Sequence, residues 1–252
     1  MPRDFSSPGE GRAAVVVGAG IGGMATALRL RALGFETTLV DRRGAPGGRA
    51  GRIEFDGFAF EEGPTLVTAP HLFEELFALC GRRMAEAVPL RRPDPAFRYL
   101  FADGAQLDST PEAGRMEAEI ARLAPGDLDG FRRFMRDARE LHDIAFEDLA
   151  GRPFHDPLLM LRQGPGIARL RAWGSAWGMA ARHMRDDRLR AAFSVQPLLL
   201  GGDPFGATAL YAMIAELERR YGVWSPAGGV GALVEAVAGL LAQAGVALRL
   251  GE

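Results

Sequence analysis

Apolar residues follow two rhythms along the chain. The β-branched run Ala13 to Val17 has the character of a buried parallel strand, and after it Met24, Ala27, Leu28 and Leu30 recur at helical spacing. Gly18 to Gly23 turns the chain between them, and Gly34 stands where a helix C-terminus favours a residue without Cβ. Thr37 to Val40 supplies a second strand. Strand, glycine turn, helix, strand is a βαβ unit, which requires parallel strands. A Gly-rich loop over 44–65 follows, with a strand-like stretch from Arg52 to Phe60. Asp103 and Gly104 then separate the apolar runs of 97–108, a strong hairpin signal.

Residues 112–150 and 166–192 carry Leu, Ile, Phe and Met on one face and charge on the other, the pattern of surface helices. Gly201 to Gly206 breaks that pattern, Thr208 to Arg220 resumes a helix, and Ser225 to Gly231 forms a second glycine-rich turn. A final amphipathic helix, Gly231 to Ala244, leads to a final strand, Val246 to Leu250. The order predicts an α/β fold in three parts. A Rossmann-type nucleotide domain begins over 1–70, opening with a polar arm. An inserted domain of mixed helix and β-hairpin spans 71–222, and 223–252 returns to the first domain.

With 252 residues and 48% apolar content, the chain can build a sizeable core. A net charge of −2 with both signs interspersed offers no field to gather nucleic acid, so no nucleic-acid partner is expected. Neither Lys nor Asn occurs, so clusters of Arg carry little weight of their own. The single Cys80 fits a reducing compartment. His71, His142, His155 and His183 lack ligand spacing, so no metal is expected. The longest apolar stretch, Ala13 to Leu28, is shorter than the ~20 residues of a membrane span and is broken by four glycines. Asp4 and Glu10 in the leading arm argue against a signal peptide. These features together predict a cytoplasmic protein.

The candidate chemistry lies in the glycine turns. Gly18, Gly20 and Gly23 form a G-x-G-x-x-G directly after a strand and opening a helix, with Ala19 and Gly22 in the same turn. Such a turn lets backbone approach a diphosphate at a helix N-terminus, and its third glycine lets helix and strand pack closely. Asp41 follows Gly23 by 18 residues at the end of the second strand, where a carboxylate accepts bonds from ribose hydroxyls and repels a 2′-phosphate. NADP is thereby disfavoured, while NAD and FAD both fit. The next loop, Asp41-Arg42-Arg43-Gly44-Ala45-Pro46-Gly47-Gly48-Arg49-Ala50, decides for FAD. Its Gly47, Gly48 and Arg49 resemble the second glycine motif of large flavoprotein families such as the amine oxidases and carotenoid desaturases, where Arg can neutralise a diphosphate.

Three further stretches sharpen the likeness: FEEGPTLVT from Phe60, LRAAFSVQPLLLGGDPFGATALYAMIAELERRYGVW from Leu189, and PAGGVGALV from Pro226. With the first motif they resemble the bacterial-type phytoene desaturases of carotenoid biosynthesis over nearly the whole chain. The resemblance implies an FAD-dependent oxidoreductase in which the flavin takes hydride equivalents from an apolar, phytoene-like polyene. It implies no nucleophile, metal or triad. It also places Gly63, Pro64 and Thr65 close to the flavin, with Glu61 and Glu62 departing from the usual pattern. Leu198 to Phe205 is a candidate channel lining.

Because such a substrate is dissolved in lipid, the resemblance further implies peripheral contact with the cytoplasmic face of a membrane. Phe154 to Trp177, with its aromatics and aliphatics edged by Arg162, Arg169 and Arg171, is the expected docking segment. Members of that family are about twice as long and finish the flavin pocket with their C-terminal part. Two alternatives therefore stand beside the desaturase: a flavin amine oxidase, and a chain that binds nucleotide or carotenoid without turnover.

Overall fold

A computed structural model of the chain describes residues 11–152 and 157–252, the side chains of 157–160 excepted. Contacts divide the chain into two compact units, Met1–Arg92 with Val223–Glu252, and Pro93–Gly222. The first division lies beyond residue 70, where the sequence placed it. The reason is that helix α2 buries Leu76 and Phe77 in the core of the first unit.

The first unit opens with β1 (Ala13–Val17), α1 (Ile21–Ala32) and β2 (Glu36–Asp41). Met24, Ala27 and Leu28 form the buried stripe of α1, at the i, i+3, i+4 spacing that one helix face requires. Each large side chain so buried contributes about 1.5–3 kcal/mol. β3 (Arg52–Phe55) and β4 (Phe58–Glu61) follow, then α2 (Pro70–Leu79), the single turn α3 (Met84–Ala87) and the two-residue β5 (Leu90–Arg91). The stretch read as one strand is thus a hairpin. Asp56 and Gly57, at φ +50° and +78°, reverse the chain, the pair of left-handed residues that an Asp-Gly turn supplies.

The second unit begins with the expected hairpin, β6 (Phe97–Leu100) and β7 (Gln106–Ser109). Helices α4 (Ala113–Leu123), α5 (Leu128–His142), α6 (Pro157–Leu170), α7 (Ala176–His183), α8 (Asp187–Ala192) and α9 (Met213–Tyr221) complete it. The expected helix over 112–150 is divided at Pro125 and continues past His142 as a π-helix, Asp143–Leu149. That over 166–192 is divided at Arg171, while α6 starts earlier, at Pro157. The helix expected from Thr208 opens instead with a 3-10 turn, Ala209–Ala212. Phe131, Phe134, Ala138 and Leu141 form the buried stripe of α5 and meet Met179 and Leu189 in one core.

On α9, two glutamates two residues apart have opposite fates. Glu216 is fully buried and clasped by Arg219, Arg139 and Arg220. Burial pushes its carboxyl up, but these guanidinium groups more than offset that and hold it below the usual range. Glu218 is partly buried and forms no ion pair among the described residues, and desolvation pushes its carboxyl up to about 7. A folded value raised above the unfolded one gives stability that is complete below about pH 4.5 and lost as pH rises through 7. Glu218→Gln is therefore expected to gain on wild type by about 2 kcal/mol between pH 5 and pH 8. Thermal melts of both proteins at the two pH values check this, and an equal difference at both would refute it.

The chain returns to the first unit through β8 (Ser225–Pro226), α10 (Gly229–Gln243) and β9 (Ala247–Leu250). β1, β2 and β9 form a parallel sheet in the order β1-β2-β9, with Val15 opposite Thr38 and Val40 opposite Arg249. Leu39 faces the core that α1 and α10 share. β1 was expected to be buried, yet Val15 and Val17 are 66% and 83% exposed. Among the described residues β1 pairs only with β2, and nothing covers its other face. No helix among the described residues is long and apolar enough to cross a membrane.

Candidate FAD-binding site

The first glycine turn is built by backbone geometry. Gly18 adopts φ +103°, open to glycine and strained for other residues, and its N–H donates to Val40 O at 2.7 Å. At Gly23 a Cβ would sit 1.8 Å from the Gly18 carbonyl oxygen, so α1 can approach β1 this closely only with glycine there. A Cβ at Gly22 would meet nothing within 4 Å, and at Gly20 only Gly47 O at 4.0 Å. The first turn of α1 has no side-chain cap and no acidic residue. It presents free N–H groups and a positive helix end, the elements of an anion site.

Asp41 closes the other side of the turn. Its Oδ2 accepts the Ala19 N–H at 2.6 Å and its Oδ1 the Arg43 N–H at 2.8 Å. The Arg43 and then the Ala19 hydrogen bond outweigh desolvation and hold the carboxyl below its ordinary range. It is ionised at neutral pH.

The second glycine loop packs on the first. Gly47 N–H donates to Ala19 O at 2.8 Å, Gly20 and Gly47 form a bridge, and Gly47 and Gly48 take φ +119° and +59°. Arg43 holds this loop through Nη1, which donates to Gly48 O at 3.0 Å and lies 3.6 Å from Glu62. Gly63 sits against the loop, where a Cβ would fall 2.0 Å from Arg49 O. Arg49, Pro64 and Thr65 are exposed around it. Glu61 turns the other way and accepts the Gly231 N–H at 2.9 Å, capping the N-terminus of α10.

Gly18, Ala19, Gly20, Gly22, Gly23, Asp41, Gly47, Gly48, Arg49 and Gly63 are thus drawn into one cradle. Arg42 is exposed and makes no hydrogen bond or ion pair among the described residues. Arg43, which the sequence analysis passed over, does the holding. Its spacing of two from Asp41 is the only sequence signal it carries.

Residues 21–252 match the family model described as flavin containing amine oxidoreductase. The chain belongs to this family. Among curated proteins it is 40% identical over 245 residues to a neurosporene-forming phytoene desaturase of Rhodobacter capsulatus, covering 97% of this chain and 47% of the relative. A lycopene-forming phytoene desaturase of Pseudescherichia vulneris is 41% identical, with coverages of 94% and 48%. The chain spans about half the length of the curated relatives it matches. Among solved structures, an oxidoreductase from Methanosarcina mazei superposes with a TM-score of 0.62 at 18% identity, covering 94% of this chain and 50% of that one. That likeness shows the fold.

FAD is the cofactor of this flavin-containing family, and the cradle fits it. The space above Gly20 and Gly22, the uncapped end of α1 and the ionised Asp41 match a diphosphate and a ribose in turn.

Proposed function

We propose that the protein serves FAD-dependent desaturation of an apolar, phytoene-like polyene, at the cytoplasmic face of a membrane. The observation that carries this reading is the extent of the likeness. At 40% identity to a phytoene desaturase it runs through 245 residues, and so through both units rather than the cradle alone. A bound flavin supplies the acceptor for hydride removed from carbon. The chain's own groups supply binding. The α1 N-terminus receives the diphosphate, Asp41 orders the ribose, and Arg43 with Glu62 keeps the second glycine loop in place. A polyene offers no charge to grip, so the second unit contributes apolar surface and exclusion of water.

We assign turnover to a polypeptide of the relatives' length. The relatives matched along nearly the whole of this chain are about twice its length. The test reconstitutes such a polypeptide with FAD and detergent-dispersed phytoene. Flavin absorbance and phytoene consumption are expected. Asp41→Ala is expected to weaken FAD binding roughly ten- to a hundred-fold, the worth of charge-assisted hydrogen bonds. A protein that binds NADH without flavin, or a flavoprotein that oxidises amines and leaves phytoene untouched, would overturn the reading.

A further inference from the structure

Of the arginines expected to dock on a membrane, Arg169 is paired with Glu140. Phe154 and the side chains of Leu158, Leu159 and Met160, expected beside it, lie outside the described residues. A cation without an anion stands instead in the first unit. There α1, α2 and α10 pack against one another, and all three end in the same way. Gly34, Gly81 and Gly245 take φ +87°, +67° and +75°, and the N–H groups of Phe35, Arg82 and Val246 donate back to Leu30 O, Phe77 O and Leu241 O. A depression of about 390 Å³ opens where the three endings meet, the size of a small-molecule site.

Leu28, Ala32 and Leu79 give the depression an apolar lining, and Arg31, Cys80 and Gln243 bring polar groups to it. Arg31 is half-buried. Its Nε donates to Ala244 O, at the end of α10, at 2.8 Å, and its Nη1 to Phe35 O, just past α1, at 3.4 Å. Nη2 makes no hydrogen bond among the described residues, and no carboxylate there pairs with the guanidinium. None of the residues lining the depression is acidic. Arg82, whose Nε donates to Gln243 Oε1 at 3.3 Å, adds a second cation with no ion pair among the described residues. Taking a charge partly out of water is unfavourable unless a counter-charge meets it, and two neutral carbonyls meet that need only in part.

We propose that this depression binds a small carboxylate with an apolar body, its carboxylate on Arg31 Nη2 and its body over Leu28, Ala32 and Leu79. Two separate features select that chemistry. The guanidinium without a counter-charge calls for an anion, and the aliphatic lining calls for hydrocarbon. An inorganic anion meets only the first. The FAD cradle lies at the N-terminus of α1 and this depression at its C-terminus, 12 residues or about 18 Å along the helix. It is therefore a second site, and it does not rest on the proposed function.

Cys80 is the single cysteine and lines the depression, so its alkylation in the full chain reads occupancy. Burial pushes its thiol up, which slows every reagent alike, so the test compares rates. Saturating hexanoate is expected to slow alkylation by the neutral reagent iodoacetamide about ten-fold. Hexanol lacks the charge and acetate lacks the body, and each is expected to slow it far less at the same concentration. Iodoacetate, itself a carboxylate, is expected to gain about three-fold on iodoacetamide at Cys80 relative to a free cysteine peptide. Arg31→Gln, checked by thermal melting to be folded, is expected to lose both the protection and the gain. Hexanol or acetate protecting as well as hexanoate would overturn the proposal, as would a folded Arg31→Gln protein that keeps the wild-type pattern. Hexanoate that leaves the wild-type rate unchanged would overturn it without any variant.

Discussion

Gly23→Ala is expected to abolish flavin binding and lower stability by about 3 kcal/mol or more, a large loss for one methyl group. The added Cβ would lie 1.8 Å from the carbonyl oxygen of Gly18. That oxygen belongs to the backbone of the turn, so no flexible side chain can give way. Either α1 moves off β1, costing the burial of Met24 and Leu28, or the turn itself is displaced. Gly22→Ala provides the contrast. Its Cβ meets nothing within 4 Å, and alanine favours the helix by ~1 kcal/mol over glycine. This variant is expected to melt at or above wild type and still lose FAD, because in the proposed cradle the cofactor approaches through the open space above Gly22. Melting curves and flavin absorbance of the two variants separate the roles. A Gly23→Ala protein that melts and binds like wild type would show that the close approach is not needed.

The second large effect is expected at Glu216→Ala, a loss of about 3 kcal/mol. Glu216 accepts bonds from Arg219 Nε and Nη2, both at 2.6 Å, and lies 3.4 Å from Arg139 on α5 and 3.5 Å from Arg220. Arg220 in turn reaches Asp143 and Glu147 in the π-helix. Removing the carboxylate leaves three guanidinium groups crowded around a void and unties α9 from α5. Because the folded carboxyl is held below its ordinary range, the stability it contributes is present at neutral pH and lost as pH falls through the folded value. The wild-type advantage over Glu216→Ala should therefore shrink in acid, which denaturant melts at neutral and acidic pH would reveal. An advantage independent of pH would mean that packing alone is at work.

The contrast between Glu216 and Glu218 marks where reading a sequence stops. Both occupy one amphipathic helix and look alike in the chain. Only the arrival of Arg139 from α5, 77 positions away, gives one of them a partner from outside its own helix. The basic pair Arg42 and Arg43 is a similar case. Composition cannot rank them, yet backbone direction at the end of β2 sends only Arg43 across to Gly48. Glu61 caps a helix 170 residues further on, and no local pattern announces that.

What the chain determined by itself is local. Glycines at G-x-G-x-x-G spacing after a β-branched run set backbone angles within a few residues, helical period located α1 and α10, and Asp103-Gly104 between apolar runs located the β6–β7 hairpin. The Asp56-Gly57 turn belongs to this legible class too, since its signal lay in two adjacent residues. Tertiary structure decided what depends on neighbours far along the chain. It left β1 at the edge of its sheet, moved Glu216 and Glu218 in opposite directions, and joined 174–177 to 204–209 by hydrogen bonds. The physical reason is that φ and ψ preferences act between adjacent residues. Burial and charge pairing depend on which distant groups the closed chain places within a few ångströms.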